Sequence, residues 1–326
     1  MKITLKIEDN TTMKGYEVHE LVTGTITCEN ALFDSVGKLE FELVKTEDLK
    51  LANGNKVEMY VDDQIFFVGY IFKFSTTNKG TIKVTSYNQL RYLKYKDTMI
   101  TDICTASELF VQLCQKWKIK YMVIHPSNYK MGATTYQNKS LYEMLTDAID
   151  KTLVNEGKWY GLIEYRGTLQ FADLEQLATN VVIGDGSLAS GYEYECSIDD
   201  DTYNIINLGK DDSTTGSRKR YVIYDSDSIN KWGMLQYHEI VDENMNEAQI
   251  KQRAEMLMKV KNRETKTLKV SCMGNIYLDV GKGVMVKIKD LEEQGVNGKV
   301  YLITESQHKF SGGTHTMDLT LQLIGA

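Results

Sequence analysis

Proline is almost missing: one residue, Pro126, in a chain of 326, where ordinary usage of about 5% would give roughly sixteen. That excludes proline-rich linkers and polyproline stalks, and it suits a chain committed to continuous strand ladders, since proline removes a ladder donor. Cysteine is sparse too. Cys28, Cys104, Cys114, Cys196 and Cys272 are odd in number, scattered and without a C-x-x-C pair, which excludes a disulfide framework and a zinc ribbon. Buried reduced thiols are expected. No apolar run approaches the 18 residues of a membrane span, and the N-terminus MKITLKIEDN alternates where a signal peptide would be apolar. The expectation is synthesis in the cytosol with no membrane segment. Positive charge is not in excess either: 38 Lys and Arg face 45 Asp and Glu, a net charge of -7. A general polyanion binder is therefore disfavoured, because affinity for nucleic acid rests on neutralising phosphates.

What is present belongs to a folded chain of two or three cores, with 42% hydrophobic and 25% charged residues. Period-two alternation dominates the first third. Ile3, Leu5 and Ile7 share one face, Leu39, Phe41 and Leu43 another, and Val57, Met59 and Val61 a third. Turn residues at Asp62-Asp63 and Asn78-Lys79-Gly80 punctuate hairpins. Residues 1–95 read as an antiparallel barrel or sandwich. Two capping boxes then predict helices, Thr105 to Glu108 and Ser140 to Glu143, each leading an apolar stripe. With the hairpin about Arg166-Gly167, residues 96–180 read as a small α+β domain. Residues 181–326 return to strands apart from one helix over about 246–262, carrying Ile250, Ala254, Leu257 and Met258 inward.

An internal repeat is the most informative feature. Gly54-x-x-Val57-x-Met59-x-Val61-x-Asp63 has the spacing of Gly281-x-x-Val284-x-Val286-x-Ile288-x-Asp290. Lys73-Phe74-Ser75 then matches Lys309-Phe310-Ser311, and Ile82 to Thr85 matches Met317 to Thr320, with extra residues around Glu292 to Gly298. Any two hairpins share alternation, but the ordered recurrence of Gly, Asp and Lys-Phe-Ser favours duplication. The predicted fold is mainly β: two related antiparallel β-barrels flanking the α+β insert.

Chemistry is hard to find. There is no H-E-x-x-H, G-x-S-x-G, Walker loop or G-x-G-x-x-G. His308 and His315 fall on neighbouring strands of a hairpin, and solvent-facing positions are expected for them. Asp199-Asp200-Asp201 and Asp225-Ser226-Asp227 could hold a hard cation through oxygen, but neither has the spacing of a calcium loop. A solvated acidic edge or an interface that reads charge is the better reading, and a metal-dependent enzyme is the remoter alternative. Arg218-Lys219-Arg220 lacks interleaved aromatics and reads as a loop or protein contact. No catalytic, cofactor or metal residue is assigned. Tyrosine supplies 20 of 32 aromatics, a composition suited to interfaces.

At Tyr87 to Leu93, Ser197 to Asn204 and Lys231 to Tyr237, and over nearly the whole chain, the sequence resembles the XkdQ/YqbQ family of prophage proteins. That family is similar to the baseplate hubs of contractile phage tails and R-type bacteriocins. The resemblance implies a homotrimeric ring joining a six-fold tail tube to a three-fold central spike. Its implied partners are the tube and spike proteins, other baseplate subunits and the tape-measure protein, with DNA only in transit through the lumen. It also implies a location in the bacterial cytoplasm during assembly and then in the particle. Asp199, Asp200, Asp201, Arg218, Lys219, Arg220 and Trp232 are the candidate inter-subunit or lumen surface. Residues 193–247 hold 13 Asp and Glu against 5 Lys and Arg, which would suit a lumen that repels DNA. The alternative is a peptidoglycan-binding module or tail-associated wall hydrolase built on residues 96–180.

Overall fold

A computed structural model of the chain describes residues 1–33, 36–199, 201–212, 216–241, 243 and 245–323. The first third is strands: β1 (Ile3–Glu8), β2 (Gly15–Glu17), β3 (Val22–Ala31), β4 (Lys38–Val44), β5 (Lys56–Val61), β6 (Gln64–Thr76) and β7 (Thr81–Tyr87). The predicted faces are the buried ones. Leu5, Ile7, Leu39, Phe41, Leu43, Val57, Met59 and Val61 form one core. Asp62 and Asp63 both take positive φ, 48° and 64°, the backbone of a tight hairpin turn between β5 and β6.

The middle third holds β8 (Lys96–Thr101), β9 (Cys104–Thr105), α1 (Ala106–Lys116), β10 (Tyr121–Val123), β11 (Lys130–Met131), β12 (Thr134–Ser140), α2 (Leu141–Glu156), β13 (Tyr160–Tyr165) and β14 (Thr168–Asp173). Both helices start where the capping boxes place them. Glu108 Oε2 accepts from the Thr105 N-H at 2.7 Å, and Glu143 Oε2 accepts from the Ser140 N-H at 2.6 Å. Each reciprocal hydroxyl bond is also made, which satisfies N-H groups that the helix leaves open. The stripes Leu109, Phe110, Leu113 and Leu141, Met144, Leu145, Ala148 close over Phe171 and Leu169.

The last third contains β15 (Ala178–Gly184), β16 (Ala189–Ser197), β17 (Ile205–Asp212), β18 (Ser217–Tyr224), α3 (Ser226–Trp232), β19 (Gln236–Val241), α4 (Glu247–Lys261), β20 (Thr265–Met273), β21 (Gly283–Lys287), β22 (Val300–Ser311) and β23 (Thr314–Leu323). The sequence reading foresees α4 but neither α3 nor the separate unit to which both belong. In that unit β18, β17 and β19 form a three-stranded sheet, and α4 covers one face of it with Ile250, Ala254 and Leu257 against Ile206 and Leu208.

The two outer thirds share a single 13-stranded sheet, whose main path runs β16-β20-β23-β22-β3-β4-β7-β6-β5-β1-β2. No closed barrel is formed among the described residues; the sheet is open. The reason lies in β22, which divides one edge between two neighbours. Val300 to Leu302 pair with β21, and Glu305 to Phe310 pair antiparallel with Ala31 to Ile26 of β3. The cores follow the sheet across this seam: Phe310 belongs to the first cluster and Leu32 to that of the last third.

The repeat is real in the hydrogen bonding. The Gly54 N-H donates to the Ile71 carbonyl at 2.7 Å, and the Gly281 N-H donates to the Ile303 carbonyl at 2.9 Å. Ile71 N-H returns a bond to Asn55, and Ile303 N-H to Lys282. Both glycines need left-handed backbone, with φ of 89° and 82°. A register shift follows at once in each copy, between Ile71 and Lys73 and between Ile303 and Glu305. From that bulge Ile82 to Thr85 corresponds to Met317 to Thr320, as the sequence indicates, because Lys73 lies opposite Thr85 and Glu305 opposite Thr320. The match of Lys73-Phe74-Ser75 with Lys309-Phe310-Ser311 is corrected. The counterparts are Glu305-Ser306-Gln307, because the β22–β23 hairpin extends further beyond its bulge than the β6–β7 hairpin. The copies diverge at their outer strand, where β1 joins β5 antiparallel and β15 joins β21 parallel.

Candidate functional site

Alternation along the shared sheet puts polar side chains on one face and core residues on the other. Across the seam that polar face forms an open groove of about 960 Å³, lined by residues such as Glu29, Lys38, Glu193, Lys269, Gln307 and Asp318. Its charges are tied into pairs within and between strands. Lys38 Nζ lies 2.9 Å from Glu29 and 3.0 Å from Glu40, and Lys309 Nζ lies 2.8 Å from Asp318. Gln307 Nε2 donates to Glu29 across the seam at 2.6 Å. Lys309 and the Ser271 hydroxyl hold the Asp318 carboxyl below its ordinary range. Among the described residues the groove is thus a wall of compensated charge.

Behind the seam a partly buried polar cluster pins β3 to β22. Asp279 accepts from Asn30 Nδ2 at 3.0 and 2.9 Å and from the Ser306 hydroxyl at 2.6 Å. Asn30 and Ser306 are directly opposite in the ladder, so one carboxylate clamps both strands. Two positions on, the next pair on the same face is Cys28 with His308. His308 is fully buried, and its Nδ1 lies 2.9 Å from His315 Nε2. The expectation of solvent-facing histidines is therefore corrected. Their hairpin sits in the first core, against Phe66 and Phe310, and one ring donates to the other. Burial and the neighbouring His308 push His315 down to about 4, and burial lowers His308. Glu164 of β13 approaches the cluster from the middle third and accepts from the Gly167 N-H at 2.6 Å. Burial, with Asp279 as a nearby like charge, pushes it up to about 8.

The seven residues singled out from the sequence lie mostly outside the groove. Asp200 falls outside the described residues. Asp199 sits in the loop leaving β16, its N-H bonded to Ser197 Oγ at 3.0 Å. Asp201 takes a left-handed backbone, φ 57°, and pairs with Lys261 at the end of α4. Arg218 makes a two-pronged pair with Asp211 at 2.5 and 3.0 Å, and Lys219 is 3.9 Å from Glu247. Arg220 is exposed on β18, and Trp232 ends α3 beneath the Lys231 ammonium. Five of them therefore gather in the β17–β18–β19 unit or against it, with Asp199 in the loop leading there, but they do not converge on one point. Of the second acidic run, Asp225 is occupied as the N-cap of α3 through the Ser228 N-H at 2.8 Å. Among the described residues no group of three His, Cys, Asp or Glu is arranged to hold a metal. The sequence reading missed Asp279, Asn30 and Ser306. Asp279 had a usable signal, being an acid two residues before the repeated glycine where the first copy has Ala52.

The model of the YqbQ-like family matches residues 26–322. The chain belongs to that family. It is 27% identical to YqbQ of Bacillus subtilis (strain 168) over 315 residues, 94% of each chain. It is 25% identical, with the same coverage, to the phage-like element PBSX protein XkdQ of the same organism. Its fold is similar to the crystal structure of the 43 kDa tail protein of prophage MuSo2 from Shewanella oneidensis, at TM-score 0.74, 13% identity and 98% coverage of both chains. No helix among the described residues is long and apolar enough to cross a membrane.

Proposed function

We propose that this chain is a structural, non-enzymatic subunit of a tail baseplate, a hub whose copies close into a trimeric ring. The observation that carries this reading is the duplicated sheet with its internal seam. A chain that presents two equivalent halves, joined edge to edge, offers a ring of three copies six similar sheet segments. Such a ring meets a six-fold tube with its halves and a three-fold spike with its whole chains. Similarity to XkdQ, a protein of a phage-like element, and to the MuSo2 prophage tail protein supports it.

In this reading the domains are residues 1–95, 96–180 and 181–326, and the two outer domains complete their barrels only in the ring. The polar groove face lines the lumen. Glu193 of the acid-rich segment 193–247 lies in the groove, and most of the other acids there ride on the β17–β18–β19 unit, a surface for the spike or other baseplate subunits. Tube, spike and tape-measure proteins are the proposed partners, with DNA passing through. The test is light scattering and native mass spectrometry of the full chain. The expected species has three times the 37.2 kDa chain mass. A strict monomer at high concentration, with no ring in negative stain and no affinity for tube or spike protein, overturns the proposal.

A further inference from the structure

Resting on the ring reading, we propose that the outer edge of β6 beyond Ile71 pairs antiparallel with the outer edge of β16 in a second copy of this chain. The register is set: Phe74 faces Cys196, Ser75 faces Glu195 and Lys73 faces Ser197.

The register comes from the chain's own seam. The two copies of the repeat correspond strand by strand, β3 to β16, β4 to β20, β7 to β23 and β6 to β22. Leu39 lies opposite both Ser86 and Cys28, while Leu268 lies opposite both Leu321 and Tyr194. Counting outward, Asn30 corresponds to Cys196 and Ser306 to Phe74. Ser306 and Asn30 are partners in the in-chain seam of β22 with β3. Repeating that seam between copies joins β6 of one to β16 of the next.

Both edges are open. β16 ends the sheet and pairs with β20 alone among the described strands. β5 covers β6 only from Gln64 to Tyr70, and past Ile71 its sole described partner is β7. Unpaired edges of this kind are templates for strand addition. The side chains fit the same partner. Behind the in-chain seam stands the polar trio Asn30, Asp279 and Ser306. Counting from the repeated glycines, Asp279 corresponds to Ala52, so the trio between copies is Cys196, Ala52 and Phe74, wholly apolar. All three are exposed in the single chain, Phe74 at 38%. Lys73 stands diagonal to Glu195 on the groove face, an opposite-charge cross-strand pair.

The experiment is a cysteine cross-link in the full chain. Directly opposed strand residues lie within disulfide range, and Cys196 is the one exposed cysteine among the five. Phe74→Cys under mild oxidation is expected to give covalent dimers and trimers on non-reducing gels, roughly tenfold more than Ser75→Cys, whose side chain points to the other face. Wild type and Phe74→Cys with Cys196→Ser are expected to give none. In wild type, amides of residues 72–76 and 192–197 should gain exchange protection as concentration rises through assembly, a readout that needs no substitution. A trimer by mass with no Phe74→Cys link and no added protection overturns this seam and leaves the ring standing. A protein that stays monomeric and unlinked overturns both.

Discussion

Replacing Asp279 by alanine tests whether the in-chain seam is held from behind. The carboxylate accepts one amide and one hydroxyl from opposite strands, at 2.9 to 3.0 Å and 2.6 Å. Its removal strands Asn30 Nδ2 and Ser306 Oγ, and Ser306 is only 3% exposed. Each orphaned buried polar group costs about 1–3 kcal/mol. The half-buried Asn30 recovers part of this through water, so the expected loss is roughly 2–4 kcal/mol. Urea unfolding gives the total, and native-state amide exchange at Ile26 to Ala31 and Glu305 to Phe310 reports the seam locally. Asp290→Ala, an exposed acid in the same segment, should stay within about 0.5 kcal/mol. A loss under about 0.5 kcal/mol for Asp279→Ala, or unchanged exchange in β3 and β22, refutes the clamp.

Three further outcomes are expected. Glu164 has a raised folded pKa, about 8, so the stability it lends is full below the unfolded value near 4.5 and fades as pH rises through 8. Glu164→Gln should therefore gain on wild type as pH climbs from 4.5 to 8, by roughly 4 kcal/mol at the top; a pH-independent difference in urea midpoints contradicts this. The histidine pair has the opposite sign. His315, depressed to about 4, stays neutral while an unfolded histidine protonates near 6.5, so its contribution drains away as pH falls from 6.5 to 4; an NMR titration midpoint for His315 at or above 6.5 rules that out. Gly54→Ala should cost about 1–2 kcal/mol for its left-handed backbone alone. Gly281→Ala should cost about 1–3 kcal/mol more, because the added Cβ would sit 2.4 Å from Ile163 Cδ1; equal thermal shifts for the two would show that the middle third does not pack on this glycine.

Strand faces, helix starts and the duplication were all legible in the sequence because each is local. Leu39, Phe41 and Leu43 announce a buried face by spacing alone, and Ser140 with Glu143 announces a helix start through backbone groups three residues away. The repeated glycines mark a backbone shape that other residues resist. Which strand edges meet is a different kind of fact. Glu29 and Gln307 are 278 residues apart, and nothing in either local pattern says that β3 lies beside β22. That pairing decided that the outer thirds form one open sheet, and it buried His308, whose alternating position reads equally well as solvent-facing until a core is known to lie on that side. It also turned Asp279 from one loop acid among many into the clamp of the seam. Periodicity states which face of a strand is buried; only the fold states against what.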